Sequence, residues 1–290
     1  MEGNRLMNFP DLTKRLITSI ISLGVLACVL IFSYVGVVKW VIALFAAGIG
    51  ALGIWEFCRL SKLNKKTGLS ELSIVIGFLT VLGFFVSTFD HTFSLLPFLL
   101  IFFGVICIFL YHFDKIVGSI ESIAKSIFAI CYVAIPIGLI LKILYLYSPC
   151  KLGHEARIWL LYLLVVTKIT DIGAYFGGRL IGKRKLAPEL SPGKTINGAI
   201  IGFLSAILFS FLFHLLGRFI GNFHLTLIQS LWLGALLGFL GQVGDLGESL
   251  LKRDADVKDS NRLPGLGGIL DMLDSLLFTT PVIYFFLYIC

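Results

Sequence analysis

Four aspartates stand where a membrane protein should not keep them. Asp171, Asp245, Asp271 and Asp274 all fall within or at the edge of long apolar runs, where a charge costs at least about 2.5–3.5 kcal/mol at mid-depth. Intramembrane ionisable residues are functional candidates by default. Lys168 and Asp171 are three apart and Asp171 and Tyr175 four apart, so on a helix all three share one face. Asp271 and Asp274 repeat the three-residue spacing after a glycine-rich approach, Gly265, Gly267 and Gly268, whose bare backbone lets a ligand come close. Two unpaired acids there favour a cation partner. Asp245, Glu248, Ser249 and Lys252 follow helical spacing, so a continued helix carries one polar stripe out of the membrane. Hard oxygen ligands of this kind suit Mg²⁺, which is held by a few carboxylates plus substrate phosphates. The competing reading is structural: Lys168 neutralising Asp171, Glu248 pairing with Lys252, and Lys252 or Arg253 bridging to the last two aspartates.

Basic and hydroxyl groups fill the stretches between. Arg179, Lys183, Arg184, Lys185, Ser191, Pro192, Gly193, Lys194 and Thr195 lead into the next apolar run. Free N–H groups at a helix start, with Lys and Thr side chains, form a natural phosphate cradle. Gly193, Lys194 and Thr195 match the end of a P-loop pattern, but the first glycine and its strand are missing, so this is not a Walker A site. A second basic stretch holds Lys252, Arg253 and Lys258, with Asp259 beside it. Together these segments have the composition of a phosphoryl or nucleotidyl transfer site in a membrane.

The elements that must position them follow from composition. The 290 residues are 58% hydrophobic and 14% charged, with a mean hydropathy of +0.97. Globular chains run about 45–50% apolar and about 25% charged, so an ordinary soluble domain is excluded. A hydrocarbon core of about 30 Å takes roughly 20 apolar residues per helix, and about nine such runs occur. They cover residues 17–38, 40–58, 72–89, 92–111, 123–147, 158–177, 197–220, 225–247 and 267–289. Each is too long and too continuously apolar for a barrel strand. The expected fold is an all-α integral membrane protein. Residues 1–150 form a hydrophobic region of about five helices and 151–290 a catalytic region of about four, each run counted at one span's length.

Most of the 24 Lys and Arg fall on one side of these alternating runs. The positive-inside rule then puts the N-terminus in the cytoplasm, the C-terminus on the opposite side, and both polar loops in the cytoplasm. The net charge of +7 is gathered into loops instead of coating a soluble face, which argues against a nucleic-acid partner. Five of six cysteines lie in or against apolar runs, which argues against a disulfide framework or zinc site. The first apolar run is too long for a signal segment and is expected to be retained.

At these motifs the chain resembles the phosphatidate cytidylyltransferases, or CDP-diacylglycerol synthases. The resemblance rests on Asp171, Ala174, Tyr175, Phe176, Gly178 and Arg179; on Ser191, Pro192, Lys194, Thr195 and Gly198; and on Ser249, Lys252, Arg253, Lys258 and Asp259 followed by Pro264, Gly265, Gly267, Gly268, Asp271 and Asp274. It covers about residues 168–275. The chain departs from the family where Leu266 and Met272 replace a histidine and an arginine.

The resemblance implies that CTP and phosphatidate become CDP-diacylglycerol and pyrophosphate. Asp245 and Asp271 are then the leading metal ligands, with Asp274 in the metal set and Asp171 in support, for one or two Mg²⁺ ions and a monovalent cation as a further candidate. Lys194 and Lys252 join Asp245 and Asp271 as catalytic candidates. Arg179, Lys183, Ser191, Thr195, Arg253, Lys258, Asp259, Lys168 and Asp171 are substrate-binding candidates. CTP, phosphatidate and membrane lipids are the expected partners, with a second copy of the chain as a candidate. A bacterial cytoplasmic membrane is the expected location. Two rivals use the same residues otherwise: a CTP-dependent polyprenol or dolichol kinase, and an ion-coupled transporter relaying through Lys168, Asp171, Asp271 and Asp274.

Overall fold

A computed structural model describes residues 24, 27–63, 68–114, 116–145, 155–217, 219, 223–257 and 268–289. The chain divides into two compact units, 1–44 and 45–290. In the first, the described residues are helical apart from a short turn near residue 34, and the Lys39 ammonium lies over the Tyr34 ring. Much of the expected run 17–38 lies outside the described residues.

From residue 36 onward, the described fold is built of nine α-helices and one hairpin. They are α1 Gly36–Leu60, α2 Leu69–Val86, α3 Leu96–His112, α4 Ser119–Ala129, α5 Ile135–Leu144, α6 Glu155–Ile181, β1 Lys185–Ala187, β2 Ser191–Thr195, α7 Ile196–Gly217, α8 Leu227–Asp254 and α9 Ile269–Ile289. A π-helical turn, Ile130–Ala134, joins α4 to α5. Read as continuous rods, eight helices among the described residues are long and apolar enough to cross a bilayer. These rods match the last eight expected runs, with ends moved by a few residues. In lipid each backbone polar group needs an internal partner, and a helix supplies one within its own segment.

The largest correction is to the run ending at 247. Helix α8 continues to Asp254, which keeps Asp245, Glu248, Lys252 and Arg253 on one rigid element. Its start is fixed by a capping box between Thr226 and Gln229.

Helices in lipid gain nothing from burying apolar surface against each other, so close approach rests on small residues. At Gly198 of α7 an added Cβ would lie 2.6 Å from the Ala174 carbonyl of α6. At Gly244 of α8 it would run into the Asp274 carbonyl of α9. These two contacts fix how α6 meets α7 and how α8 meets α9. Outward faces carry large apolar side chains such as Phe45, Phe102, Phe103 and Leu180, all well exposed, as a lipid-facing surface requires.

The halves expected on either side of residue 150 share the second unit. Phe278 of α9 packs edge-on against Tyr132 of the π turn at 6.1 Å, and Tyr132 stacks on Phe128 of α4. The loop expected between α6 and α7 holds an antiparallel β-pair, with Lys185 opposite Thr195 and Ala187 opposite Ser191.

Candidate active site

A cavity of about 410 Å³ opens where α6, the hairpin, α7 and α8 meet. Asp171, Tyr175 and Arg179 line it from α6, Ser191, Lys194 and Thr195 from β2, and Gln242 and Asp245 from α8. The hairpin is tied down on both sides. Arg253 donates to the Leu190 carbonyl at 3.1 Å, and the Ile196 N–H donates to the Arg184 carbonyl at 3.0 Å. Thr195 is buried and caps α7, its hydroxyl oxygen accepting from the Gly198 N–H at 3.1 Å.

Lys194 Nζ lies 3.3 Å from Asp245 Oδ2, is closed off from solvent, and has no hydrogen-bond partner among the described residues. Arg179 donates to the Tyr175 hydroxyl at 3.3 Å. One wall of the cavity is therefore cationic and hydroxylic, and the other is acidic.

Helices α8 and α9 set their acids in two rungs, one turn apart. In the first rung the carboxyl groups of Asp245 and Asp274 lie within hydrogen-bonding reach. Ser275 of α9 donates its hydroxyl toward Asp171 Oδ2 at 3.3 Å or Asp274 Oδ1 at 3.2 Å. Lys168 reaches the same group, 3.4 Å from Asp171 Oδ2 and 3.3 Å from the Met272 carbonyl. Asp171 Oδ1 is buried with no hydrogen-bond partner among the described residues. In the second rung Lys252 sits between Glu248 at 2.6 Å and Asp271 at 2.5 Å. Asp271 also accepts from the Gly268 N–H at 2.8 Å.

The structure thus separates residues that sequence reasoning grouped. Asp171, Asp245 and Asp274 come together beside Lys168 and Lys194. Asp271 is one turn away in an ion pair with Lys252, as the structural reading of that motif expects. Lys183 is exposed beside the hairpin, away from the cavity lining. Lys258, Asp259 and Leu266 lie outside the described residues, as do Arg262, Pro264, Gly265 and Gly267.

Two contributors had gone unassigned in the sequence. Ser275 is fully buried at the centre of the first rung. Gln242 donates from Nε2 to the Ala199 carbonyl at 3.1 Å and the Gly238 carbonyl at 3.0 Å. That leaves its amide oxygen as an acceptor at the cavity wall. A polar amide one turn before Asp245, on the same face of an apolar helix, was the available signal.

A profile of the cytidylyltransferase family matches residues 13–290, and the chain belongs to that family. It is similar to a phosphatidate cytidylyltransferase of Chlamydia pneumoniae, 35% identical over 288 residues covering 97% of this chain and 93% of the relative. A phosphatidate cytidylyltransferase of Bacillus subtilis (strain 168) is 34% identical over 281 residues, 96% and 98% of the two chains. One from Staphylococcus haemolyticus is 44% identical over 126 residues, 43% of this chain and 47% of the relative.

Proposed function

We propose that the protein transfers the cytidylyl group of CTP to phosphatidate, forming CDP-diacylglycerol and pyrophosphate. The observation that carries this reading is the cavity itself, with Lys194, Arg179, Ser191 and Thr195 facing Asp171 and Asp245 at the ends of membrane helices. The near full-length likeness to phosphatidate cytidylyltransferases supports the choice of substrates.

The chemistry asks little of a protein nucleophile. A phosphomonoester has a second pKa of about 6, so the lipid phosphate is already largely dianionic at neutral pH. Its oxygen attacks the α-phosphorus of CTP in line, the bond to the β-phosphate bridging oxygen breaks, and pyrophosphate leaves. Lys194 and Arg179 bind the triphosphate oxygens, and Ser191 adds a hydroxyl donor. Thr195 holds the start of α7 against the same phosphates. The helix bundle limits water around the transferred group, where such contacts are strongest.

Magnesium fits the first rung. Among the described residues no group of three or more His, Cys, Asp or Glu side chains is arranged to hold a metal ion. Mg²⁺ does not need one, since a carboxylate or two and substrate phosphates complete its shell. Asp171, with its unpartnered, buried Oδ1, and Asp245, the two acids that line the cavity, would supply the carboxylate oxygens for it, with Asp274 beside them. Bound there, the ion would neutralise charge on the departing pyrophosphate. Asp271, engaged by Lys252, supports this group from the next turn.

The reacting end of the bundle also gathers Arg59, Lys62, Arg179, Lys183, Arg184, Lys185, Lys252 and Arg253. The positive-inside rule assigns that end to the cytoplasm, where CTP is found, and the relatives are bacterial. The test is purified protein in detergent with phosphatidate, Mg²⁺ and α-labelled CTP. Label in the lipid fraction with release of pyrophosphate is expected. Release of CDP with unlabelled phospholipid would mean γ-phosphoryl transfer and overturn the reading.

A further inference from the structure

Helix α9 begins inside the protein, beside a carboxyl group from far away in the chain. Glu56 of α1 is 1% exposed. Its Oε1 accepts from the Ile269 N–H and its Oε2 from the Leu270 N–H, both at 3.0 Å. The first N–H groups of any helix have no partner in their own helix, and a carboxylate complements the partial positive charge there. Buried without a partner, each would carry the full desolvation penalty of an unsatisfied donor. The neighbouring Gly268 N–H is taken by Asp271. Three successive N–H groups at this glycine-rich helix start are therefore filled by the protein's own carboxyls. Among the described residues, these three N–H groups are not free to cradle a phosphate.

The contact is a built one. Gly53, one turn earlier on α1, brings that helix against Ile269 and Leu270, with Val133 of the π turn alongside. Phe57, next to Glu56, packs against Phe128 at 5.4 Å and Tyr132 at 6.3 Å. Leu270 itself is fully buried. Asp271 is the next residue along, and Asp274 lies one turn further.

We infer that Glu56 is a positioning residue for catalysis: it clamps the start of α9 and so sets where Asp271 and Asp274 meet Glu248 and Asp245 of α8. The N-terminal helices are then part of the site's framework. The kinetic part of this inference rests on the cytidylyltransfer reading, and the structural part does not.

The test is Glu56→Gln in the full-length protein in detergent, beside Glu56→Asp and a packing control, Ile54→Val, a buried α1 residue that packs on Gly77 of α2 instead of on α9. Glu56→Gln keeps the shape but turns an NH₂ donor toward one of the two N–H groups. Amide exchange across residues 268–275, followed by mass spectrometry, is expected to speed up about tenfold or more as the clamp opens. Pyrophosphate release is expected to lose about 10–100-fold in kcat, the effect of a misplacement of order 1 Å, with KM for phosphatidate held within about twofold. Glu56→Asp should fall between Glu56→Gln and wild type, and Ile54→Val should keep wild-type exchange and kcat. Wild-type exchange in Glu56→Gln overturns the clamp. Faster exchange with unchanged kcat, or a loss of kcat that only tracks a lowered melting temperature in all three variants, overturns the positioning role. If the wild-type protein releases no pyrophosphate, the function reading has failed, and the exchange result alone decides the clamp.

Discussion

The Lys194 ammonium of β2 lies 3.3 Å from the Asp245 carboxylate of α8. On the proposed reading, that pair joins two chemistries of the cavity, phosphate binding on the hairpin and oxygen donation on the helix. Without substrate, each neutralises the other. With a triphosphate bound between them as proposed, Lys194 would have a second anion to meet and Asp245 would be released toward a cation. Lys194→Met should therefore lower kcat/KM for CTP by about 10²-fold or more, the scale of losing one preorganised donor to developing charge. Lys194→Arg should restore only part, since a planar guanidinium does not replace a compact ammonium. Steady-state pyrophosphate release measures both.

Asp245→Asn and Asp271→Asn should fail in different ways. Asp245 faces the cavity, so its loss is expected to cut turnover by at least about 10²-fold while the melting temperature in detergent holds within a few degrees. Asp271 neutralises Lys252 beside Glu248, which is 2% exposed. Lys252 keeps Glu248 in that variant, so what is lost is one charge-assisted hydrogen bond of a part-buried pair, about 1.5–3 kcal/mol, and Asp271→Asn should melt earlier as well as turn over more slowly. A dead Asp271→Asn variant with unchanged melting would instead make Asp271 a direct ligand of metal or phosphate.

Lys252→Met should be the most destabilising single change in the second rung, because it strands two acids at once. Adding Glu248→Gln should recover more than half of the lost melting temperature, as removing one partner of a buried pair costs more than removing both. Equal melting of the single and double variants would show that the two acids do not depend on Lys252.

Gly244→Ala is expected to push α9 away from α8, because the new Cβ meets the Asp274 carbonyl. Overpacking of this kind costs about 1–3 kcal/mol, and the displaced backbone carries Asp274. Activity should fall more than stability. Gly48→Ala is the contrast, with nothing within 4 Å of the added carbon. As a helix-interior glycine it should gain about 0.5–1 kcal/mol. Thermal melts and initial rates of the two variants separate the effects.

Much of this was legible before the fold, for definite reasons. Apolar runs of about 20 residues in lipid permit one backbone solution, so the spans from Gly36 onward could be read directly. The carboxylates at 171, 245 and 274 declared themselves by their cost in an apolar run. Cross-helix pairing was not legible. Whether Asp245 meets Asp274 or Asp271 depends on the height at which α8 crosses α9, and Gly244 fixes that through a contact absent from the local sequence. Glu56 sits near the end of an apolar run, but nothing near residue 56 points to Ile269 and Leu270. The hairpin was hidden too, because Ser191 to Thr195 read as a basic turn with few β-formers.

The bond from Arg253 to the Leu190 carbonyl carries a different kind of implication. It couples a side chain to the main chain, so only one of the two positions is held by its chemistry. Residue 190 is free to drift, because every amino acid offers the same carbonyl. Residue 253 is not, because a shorter or uncharged side chain leaves the hairpin without that tether. Substitutions tolerated over evolutionary time should therefore be lopsided across a contact that looks symmetric in space.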